Sequence, residues 1–506
     1  MRVSGAGAKR RDAMAGLGGR MAAGFIWLGA AKLATNLLGF VGMVVVARLL
    51  TPEDFGVVAV GVGAMQLLHG LTDFGAAQAV VRFREAGRAE YDTLFTVSAA
   101  RGVAIGAALV AAAPFVASAL DDPRIAGAMF AAAAQPLFAG LSNPRFHEYE
   151  RDLDFSRDAS RVIAAKLASV AVSIAVALAA RDHRAIFAGL AAGAFVQFAL
   201  SYAMRPYLPR LSLSRWREVW GFSGWLAGVG ALAAVNNKLD GIILARIAGP
   251  FAAGSFYFGL QLAELPTREF SSQIARALYP GLSMLQGDPA RMRGGFLRAV
   301  EALGVVAMPL SFGLAFVARD FVAIFLGAGW AGAAPAVELL APVLGLQTLF
   351  LATQHYAMAL GRTELLFFRE LIFAVVRLPV FIAATIGYGL EGAIAAAAAL
   401  GLFQIFLDLI MYERLSGGSF REPLAAAHRS LGAVAAMVLF FVLLRPWLDE
   451  SLPVSLFASL VRDVACGGAV YVGALLAIWR AEGSPGGAER LILNSGSGLL
   501  ARLRRN

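Results

Sequence analysis

Residues 44–52 read VVVARLLTP, and residues 242–250 read IILARIAGP. Sliding the chain along itself by 198 residues, from 44 to 242, places the first stretch on the second. The aligned pairs are Ala47 with Ala245, Arg48 with Arg246, Pro52 with Pro250, Gly56 with Gly254, Gly61 with Gly259, Leu67 with Leu265 and Gln66 with Glu264. This spacing predicts a chain built from two related halves.

Apolar segments fill most of the 506 residues around this repeat. Hydrophobic residues make up 59% and charged residues 15%, whereas a soluble domain has about a quarter charged residues. A helix needs about 20 apolar residues to cross a bilayer, so we expect an all-α polytopic membrane protein with about fourteen spans. The predicted spans are 22–47, 55–80, 94–118, 125–144, 162–180, 185–204, 218–237, 241–265, 296–318, 334–358, 366–387, 391–411, 430–447 and 457–479.

The repeat places span 1 on span 7 and span 2 on span 8 in the same orientation. Six spans separate the copies, so the repeat is parallel, with its axis along the membrane normal. We expect two pseudo-symmetric six-helix lobes and an extra helix pair. The expected parts are a cytoplasmic tail 1–20, a first lobe 21–210 with spans 1–6, a second lobe 211–415 with spans 7–12, spans 13 and 14 in 416–480, and a cytoplasmic tail 481–506. Two like lobes around a central cavity are typical of alternating access, with substrate near the bilayer midplane.

The lysines and arginines fix the expected orientation. With the N-terminus inside, 31 of the 44 are assigned to inside segments, with Arg298 and Arg369 near span ends counted there. Eight are assigned to outside segments, with Arg246 and Arg445 near span ends counted there, and five are assigned to the spans. Cytoplasmic loops carry such an excess, so both termini are expected in the cytoplasm. The net charge of +10 therefore reflects topology, and we expect no nucleic-acid partner. Cys466 is the only cysteine, which excludes an intrachain disulfide.

Three basic residues lie deep within predicted spans. Lys32 is ten residues into span 1, Arg377 eleven into span 11 and Arg101 seven into span 3. An ionisable residue at the bilayer centre costs about 2.5–3.5 kcal/mol on insertion scales. One interpretation is a cationic cavity that binds an anionic cargo. The other is a side chain that reaches the interface or pairs with a carboxylate. Lys166 and Arg462 are nearer to span ends, where reaching the interface is the favoured interpretation.

A polar group lies on spans 1 and 7. It consists of Asn36, Asn236, Asn237, Lys238 and Asp240. The functional interpretation places these side chains on the outer half of the cleft, where they contact cargo. The alternative is an interfacial loop with a local pair between Lys238 and Asp240.

The repeat-related Arg48 and Arg246 are expected at the outer mouth of the cleft. They are candidates for a gate or for cargo release, although capping of helix carbonyls before the following proline is the favoured interpretation. Asp73, Glu264 and Asp408 are the candidates for ion coupling. All three lie near predicted cytoplasmic span ends, so pairing with inside arginines is the favoured role for them.

Several short motifs resemble a known family. The first is Ala47-Arg48-Leu49-Leu50-Thr51-Pro52-Glu53-Asp54-Phe55-Gly56, continued by Asp73-Phe74-Gly75. The others are Asn236-Asn237-Lys238-Leu239-Asp240, Ala245-Arg246-x-x-Gly249, Gly254-x-x-Tyr257, Leu265-Pro266 and Tyr279-Pro280-Gly281-Leu282-Ser283. Over roughly residues 20–420 the chain resembles the polysaccharide-export (Wzx-type) flippases of the multidrug/oligosaccharidyl-lipid/polysaccharide exporter superfamily. Tyr279 departs from the phenylalanine expected for the family.

The resemblance implies a MATE-like fold and a cargo of oligosaccharide linked to undecaprenyl pyrophosphate. It implies a role in O-antigen, capsule or exopolysaccharide assembly at the bacterial inner membrane, with membrane lipids as surroundings and a polysaccharide polymerase or co-polymerase as partner. A monomer is expected. The alternative is a small-molecule exporter of the same superfamily, although an exporter of cations would need deep acidic residues. A polymerase or ligase would need a long outer loop, which the predicted topology lacks.

Other chemistries have no signal in the sequence. No Gly-x-x-x-x-Gly-Lys-Ser/Thr loop for nucleotide phosphates occurs. The five histidines are isolated, without the spacing of a metal site. We therefore expect a transporter that is not an enzyme and has no cofactor and no bound metal.

Overall fold

The computed structural model describes residue 32 and residues 34–72, 87–151, 155–216, 224–451 and 454–484. Within these ranges the regular structure is helical, with no strand. Ten helical segments in this part of the chain are long and apolar enough to cross a membrane. The expected fold class, an all-helical protein that crosses the membrane many times, is confirmed. The number fourteen stays a prediction, since predicted span 4 is divided into two short helices and span 1 is described only in part.

The chain divides into two compact units, Met1–Ile242 and Ile243–Asn506. The helices of the first unit are α1 (Ala34–Leu49), α2 (Pro52–Leu71), α3 (Arg88–Ala119), α4 (Arg124–Ala132), α5 (Ala134–Gly140), α6 (Glu148–Arg151), α7 (Phe155–Ala180), α8 (Arg184–Met204) and α9 (Gly224–Lys238). A 3₁₀ turn, Pro144–His147, precedes α6.

The second unit contains two broken helices, α10 (Asp240–Ser283, which begins just before the division) and α15. Its further elements are α11 (Pro289–Phe316), α12 (Ala318–Phe325), a 3₁₀ turn Ala328–Ala333, α13 (Ala334–Leu349), α14 (Leu351–Ala359), α15 (Thr363–Ser416), α16 (Arg421–Ala426), α17 (His428–Leu439), a π-helical segment Phe440–Leu444, α18 (Arg445–Ser451) and α19 (Leu456–Ala481). The breaks are at Gly249 (φ 85°) and Gly389 (φ 59°). Glycine adopts positive φ without the steric cost of a Cβ, so each long helix can hold two spans.

The start of α2 shows why the Thr-Pro-Glu-Asp sequence begins a helix. The Thr51 hydroxyl accepts from the Asp54 amide at 3.4 Å, and the Asp54 carboxylate accepts from the Thr51 amide at 3.1 Å. This reciprocal cap satisfies two amide groups that the first helical turn leaves unpaired. Pro52 at the first helical position has no amide hydrogen to satisfy. The motif that carries the family resemblance is thus also a helix start.

The break between predicted spans 7 and 8 differs from the sequence-based interpretation. The outer loop was expected at residues 238–240, where polar residues interrupt the apolar run. Instead, α9 and its continuation pack antiparallel along α2: Gly70 lies against Ala234 and Ala59 against Gly241. The chain leaves the helical conformation and turns back at Gly249, the position that aligns with residue 51 in the repeat. Contact with the middle of α2 keeps the polar stretch inside the span.

The same contacts place α9 in the first unit. Glycines allow this close approach, since a methyl group built on Gly63 would lie 3.0 Å from the Lys238 carbonyl oxygen. The lobe boundary at residues 210 and 211 was drawn from the count of spans and stays a prediction.

Helices α17 and α19, which correspond to predicted spans 13 and 14, pack within the second unit. The Tyr471 hydroxyl donates to the Val305 carbonyl at 3.2 Å, and Phe316 stacks on Phe441 at 4.6 Å between ring centroids. At one end of α19, the Arg445 guanidinium contacts Asp320 at 2.6 Å and the fully buried Asp463 at 2.7 Å. Aromatic packing and this ion-pair network therefore hold the extra helix pair against α11 and α12.

Candidate functional site

In the first unit, Lys32 and Asn36 share one face of the first span with Gly39, at helical spacings of four and three residues. The Lys32 side chain is exposed and Asn36 is half-buried. A methyl group built on Gly39 would lie 2.9 Å from Cε and 3.1 Å from Nζ of Lys166. The absence of a side chain at Gly39 therefore lets Lys166 of α7 lie directly against α1, beside the face that carries Lys32.

Lys166 lies in the first half of α7, whose start differs from that of the predicted span. The predicted span begins at residue 162, but α7 begins at Phe155. At 1.5 Å per residue, Lys166 is about 16 Å along a helix about 39 Å long. The interpretation of Lys166 as a lysine that reaches the interface stays a prediction. Helical residues 155–161 are largely polar, so hydropathy alone did not reveal this start.

Arg101 contacts the end of a neighbouring helix. Its Nη2 donates to the His69 carbonyl at 2.8 Å, and its Nε donates to the Thr72 hydroxyl at 3.1 Å. The last carbonyls of a helix have no partner within the helix and carry partial negative charge. The guanidinium therefore caps α2, which is a structural role for this deep charge.

The polar stretch on α9 and the start of α10 is divided by burial. Asn236 is fully buried and Asp240 is 6% exposed. Asn237 is exposed, and its side chain donates to the Ala233 carbonyl at 2.8 Å. Lys238 is half-buried, with its carbonyl against the middle of α2. These residues belong to the interior of a span, at a depth where polar side chains are rare and usually functional.

In the second unit, Arg377 is a buried cation near the middle of a membrane span. It is 7% exposed, about 21 Å along α15 from Thr363 and about 18 Å before Gly389. Its guanidinium carbon lies 5.9 Å from the ring centroid of Phe373 and 5.7 Å from that of Phe381. Cation–π contacts stabilise a guanidinium inside an apolar bundle.

A second buried charge cluster lies on the two arms of α15. Arg369 Nε is 2.8 Å from Asp408 Oδ1, and Arg369 Nη1 donates to Glu370 at 2.7 Å. All three side chains are at most 13% exposed. Asp408, a candidate for ion coupling, thus contacts an arginine that the sequence analysis assigned to the inside. Glu370 was not among the predicted site residues, because nothing in the sequence indicates that its neighbour Arg369 also contacts Asp408.

The remaining predicted residues are dispersed. Arg48 and Arg246 are both exposed, each in the last helical residues before a break, and Glu264 is half-buried on α10. Asp73 lies outside the described residues. Within the described part of the chain, no group of three metal-ligating side chains occurs.

The family assignment follows from comparison with known proteins. Residues 45–335, more than half of the chain, match the family described as "Polysaccharide biosynthesis protein". The chain belongs to this family. The match begins within the repeated Ala-Arg motif and extends into the second unit, so it includes both copies of the repeat.

Named family relatives cover most of the chain. It is 25% identical over 421 residues to the lipopolysaccharide biosynthesis protein WzxC of Escherichia coli (strain K12), covering 78% of this chain and 82% of that protein. It is 24% identical over 458 residues to the succinoglycan biosynthesis transport protein ExoT of Rhizobium meliloti (strain 1021), covering 89% and 91%. The resemblance to polysaccharide-export flippases is confirmed.

A solved structure confirms the fold. The lipid II flippase MurJ in an inward closed conformation matches with a TM-score of 0.72 at 13% identity, covering 90% of this chain and 99% of that chain. At this identity the likeness shows the fold alone. The chain therefore shares the helical arrangement of that structure.

Proposed function

We propose that this protein moves an oligosaccharide, linked to undecaprenyl pyrophosphate, from the cytoplasmic to the periplasmic leaflet of the bacterial inner membrane. The observation that carries the proposal is Arg377, a permanent cation buried at mid-depth in α15. The hydrocarbon core disfavours such a charge. A function for the Arg377 guanidinium at this depth is to attract an anionic head group that passes it.

Two lysines of the first unit, Lys32 and Lys166, are further positive charges that could bind the head group in this proposal. Lys166 lies against Gly39 on the face that carries Lys32. A pyrophosphate carries negative charge, which a guanidinium binds through a planar fork and an ammonium binds as a point charge. In the proposed mechanism these positive charges meet the head group during alternating access, while the prenyl tail stays in lipid. Asn237, Lys238 and Asp240 are proposed to contact the sugars.

The membrane potential favours outward movement of this cargo. Moving one negative charge toward the positive outer side releases about 2.3 kcal/mol per 100 mV. Export of a pyrophosphate-linked sugar therefore needs no nucleotide hydrolysis by the chain. Arg48 and Arg246 at the outer helix breaks are proposed to assist release. Asp73 and Glu264 are retained as coupling candidates, and Asp408 is retained with its partner Arg369.

A small-molecule exporter of the same superfamily is the alternative. An exporter of organic cations would need a deep carboxylate that faces the cargo. In the second unit the buried carboxylates Glu370 and Asp408 contact Arg369, while the mid-depth residue is Arg377. This sign of charge favours an anionic cargo.

The proposed setting follows from the charge distribution and the relatives. Both termini lie in the cytoplasm, as the positive-inside rule predicts. The exported repeat unit is consumed outside by a polymerase, which we propose as a partner together with its co-polymerase. The flippase is proposed to work as a monomer, since each chain contains both lobes.

Deletion of the gene followed by mass spectrometry of lipid-linked intermediates tests the proposal. Complete repeat units should accumulate on the carrier lipid, and surface polysaccharide should be lost. The wild-type chain should restore export, Arg377→Lys should restore part of it and Arg377→Ala should fail at normal membrane abundance. Normal polysaccharide in the deletion strain, or normal export with Arg377→Ala, would contradict the proposal.

A further inference from the structure

A cavity lies at one end of the first unit. Its volume is about 580 Å³, and its walls include Arg88, Tyr91, Arg145 and Tyr207. This is within the range of small-molecule binding sites, about 300–1,000 Å³. In the proposed orientation this end of α3 faces the cytoplasm.

The walls of this cavity are fixed by a hydrogen-bonded frame. The Tyr207 hydroxyl donates to Asp92 at 2.5 Å, and the Arg210 amide donates to the same carboxylate oxygen at 2.8 Å. Together they hold the non-helical segment after α8 against the first turns of α3. The cavity therefore has a preformed shape.

Aromatic rings and guanidinium groups alternate along the cavity. The Arg145 guanidinium carbon lies 5.7 Å from the ring centroids of both Tyr91 and Tyr207. Arg88 donates to the Leu208 carbonyl at 3.4 Å, and its side chain is 58% exposed. Flat aromatic faces suit the apolar C–H face of a pyranose ring, and guanidinium forks suit phosphate.

The charges around the cavity favour an anion. Glu148 contacts two guanidiniums, those of Arg145 and Arg205, and Asp92 lies 3.7 Å from Arg88. Glu90, beside Gly87 in the cavity wall, lies 3.5 Å from Arg215. The guanidiniums of Arg88, Arg145, Arg205 and Arg215 against the three carboxylates leave one net positive charge. The Asp92 carboxylate is occupied by Tyr207 and the Arg210 amide, so it is turned toward the frame.

We infer that this cavity is a binding site for a sugar phosphate group, in which Arg88 and Arg145 bind the phosphate and the ring of Tyr207 packs on the adjoining pyranose. The inference rests on the proposed function, since the sugar phosphate would be the head of the lipid-linked cargo before it enters the transport route. A free sugar phosphate and a lipid-linked one share this chemistry.

Calorimetry on the purified full-length protein in detergent tests the site. Glucose 1-phosphate should bind saturably and about tenfold more tightly than inorganic phosphate or glucose alone. Arg88→Gln should weaken binding about tenfold. Arg184→Gln, which changes an arginine with 76% side-chain exposure elsewhere in the first unit, should leave it unchanged. Equal affinities for all three probes, or no effect of Arg88→Gln, would overturn the inference.

Two variants of Tyr207 separate its ring from its hydroxyl. Tyr207→Phe keeps the ring and should keep the preference for glucose 1-phosphate over phosphate. Tyr207→Leu should remove that preference while phosphate binding persists. A thermal melt of each variant, compared with the wild type, confirms that the frame has folded. A preference that survives in folded Tyr207→Leu would contradict the aromatic contact.

Lipid competition distinguishes the sources of the ligand. Nanodiscs that contain a prenyl-phosphate-linked glucose should displace glucose 1-phosphate, whereas nanodiscs of phosphatidylglycerol should not. Displacement by phosphatidylglycerol would mean that the cavity binds bulk lipid head groups, against the inference. Calorimetry reports on this site and the deletion experiment reports on transport, so failure of this site and failure of the proposed transport give different results.

Discussion

Arg369 and Asp408 are 39 residues apart in sequence, yet their side chains are in contact, with 2.8 Å between Arg369 Nε and Asp408 Oδ1. The pair links the two arms of α15 on either side of the break at Gly389. Both side chains are at most 13% exposed. The pair therefore fixes how the two spans of one long helix lie against each other.

We predict that Asp408→Asn destabilises the protein by about 3 kcal/mol, because it leaves a buried guanidinium short of negative charge. Combined with Arg369→Gln in a double-mutant cycle, it should show a coupling of about 1–3 kcal/mol. Detergent-solubilised melting curves and membrane abundance measure both effects. Asp288→Asn, at an exposed aspartate, serves as the control. Normal stability with lost export would show instead that Asp408 acts in transport.

Arg101 should behave as a helix cap. Arg101→Gln removes charged hydrogen bonds to the His69 carbonyl and Thr72, so we expect a loss of about 1–3 kcal/mol in stability. Export should fall only as far as membrane abundance falls. The measurement is export per folded molecule, from polysaccharide output and quantitative immunoblots. A variant that is abundant but inactive would assign Arg101 to the cargo instead.

Lys166→Met is predicted to separate function from stability. Methionine has similar length and no charge, so the loss of a cation within the membrane should leave stability equal or higher. Export should nevertheless fall at least about tenfold, since the cationic face beside Lys32 loses a member. Val170→Ala, which changes an apolar contact with Gly42 one turn away, should keep export. Full export by Lys166→Met would remove this lysine from the site.

Much of the fold was predictable because hydropathy and the positive-inside rule act locally along the chain. The repeat also placed Arg48 and Arg246 at equivalent helix ends. Local patterns failed where packing decides, as at residues 238–240, which were expected in an outer loop, whereas the Lys238 carbonyl lies against Gly63 in the middle of α2. The start of α7 was missed because the helix extends through polar residues before its apolar run.

Contacts between distant charges could not be predicted for a similar reason. Sequence spacing shows which residues share a helix face, but it does not bring Arg369 to Asp408 or Arg101 to the end of α2. Those partners depend on how helices pack. The candidate site was therefore predictable in charge and approximate depth, and unpredictable in its partners.

Lowering the pH should remove the stability that the ion pairs of Glu148 contribute. Burial acts to raise the pKa of this carboxyl, but hydrogen bonds from Arg145 and Tyr91 and the charge of Arg205 outweigh it and lower the pKa below its ordinary value of 4.5. A lowered folded-state pKa contributes stability that is complete above the unfolded value and is lost as pH falls through the folded value. The wild type should therefore have a higher melting temperature than Glu148→Gln at pH 7. The difference in melting temperature should narrow below about pH 4.5. A difference in melting temperature that does not change with pH would contradict a stabilising role for the ion pairs of Glu148 with Arg145 and Arg205.

The central claim is that a buried positive charge lets an anionic, lipid-linked sugar cross the membrane. The most direct test reconstitutes the purified protein in liposomes that contain a lipid-linked oligosaccharide and follows its appearance on the opposite leaflet with an impermeant lectin. The account predicts rapid appearance with wild type, and background rates both with Arg377→Ala and in protein-free liposomes. Equal rates for wild type and Arg377→Ala, or a wild-type rate no higher than that of protein-free liposomes, would contradict it.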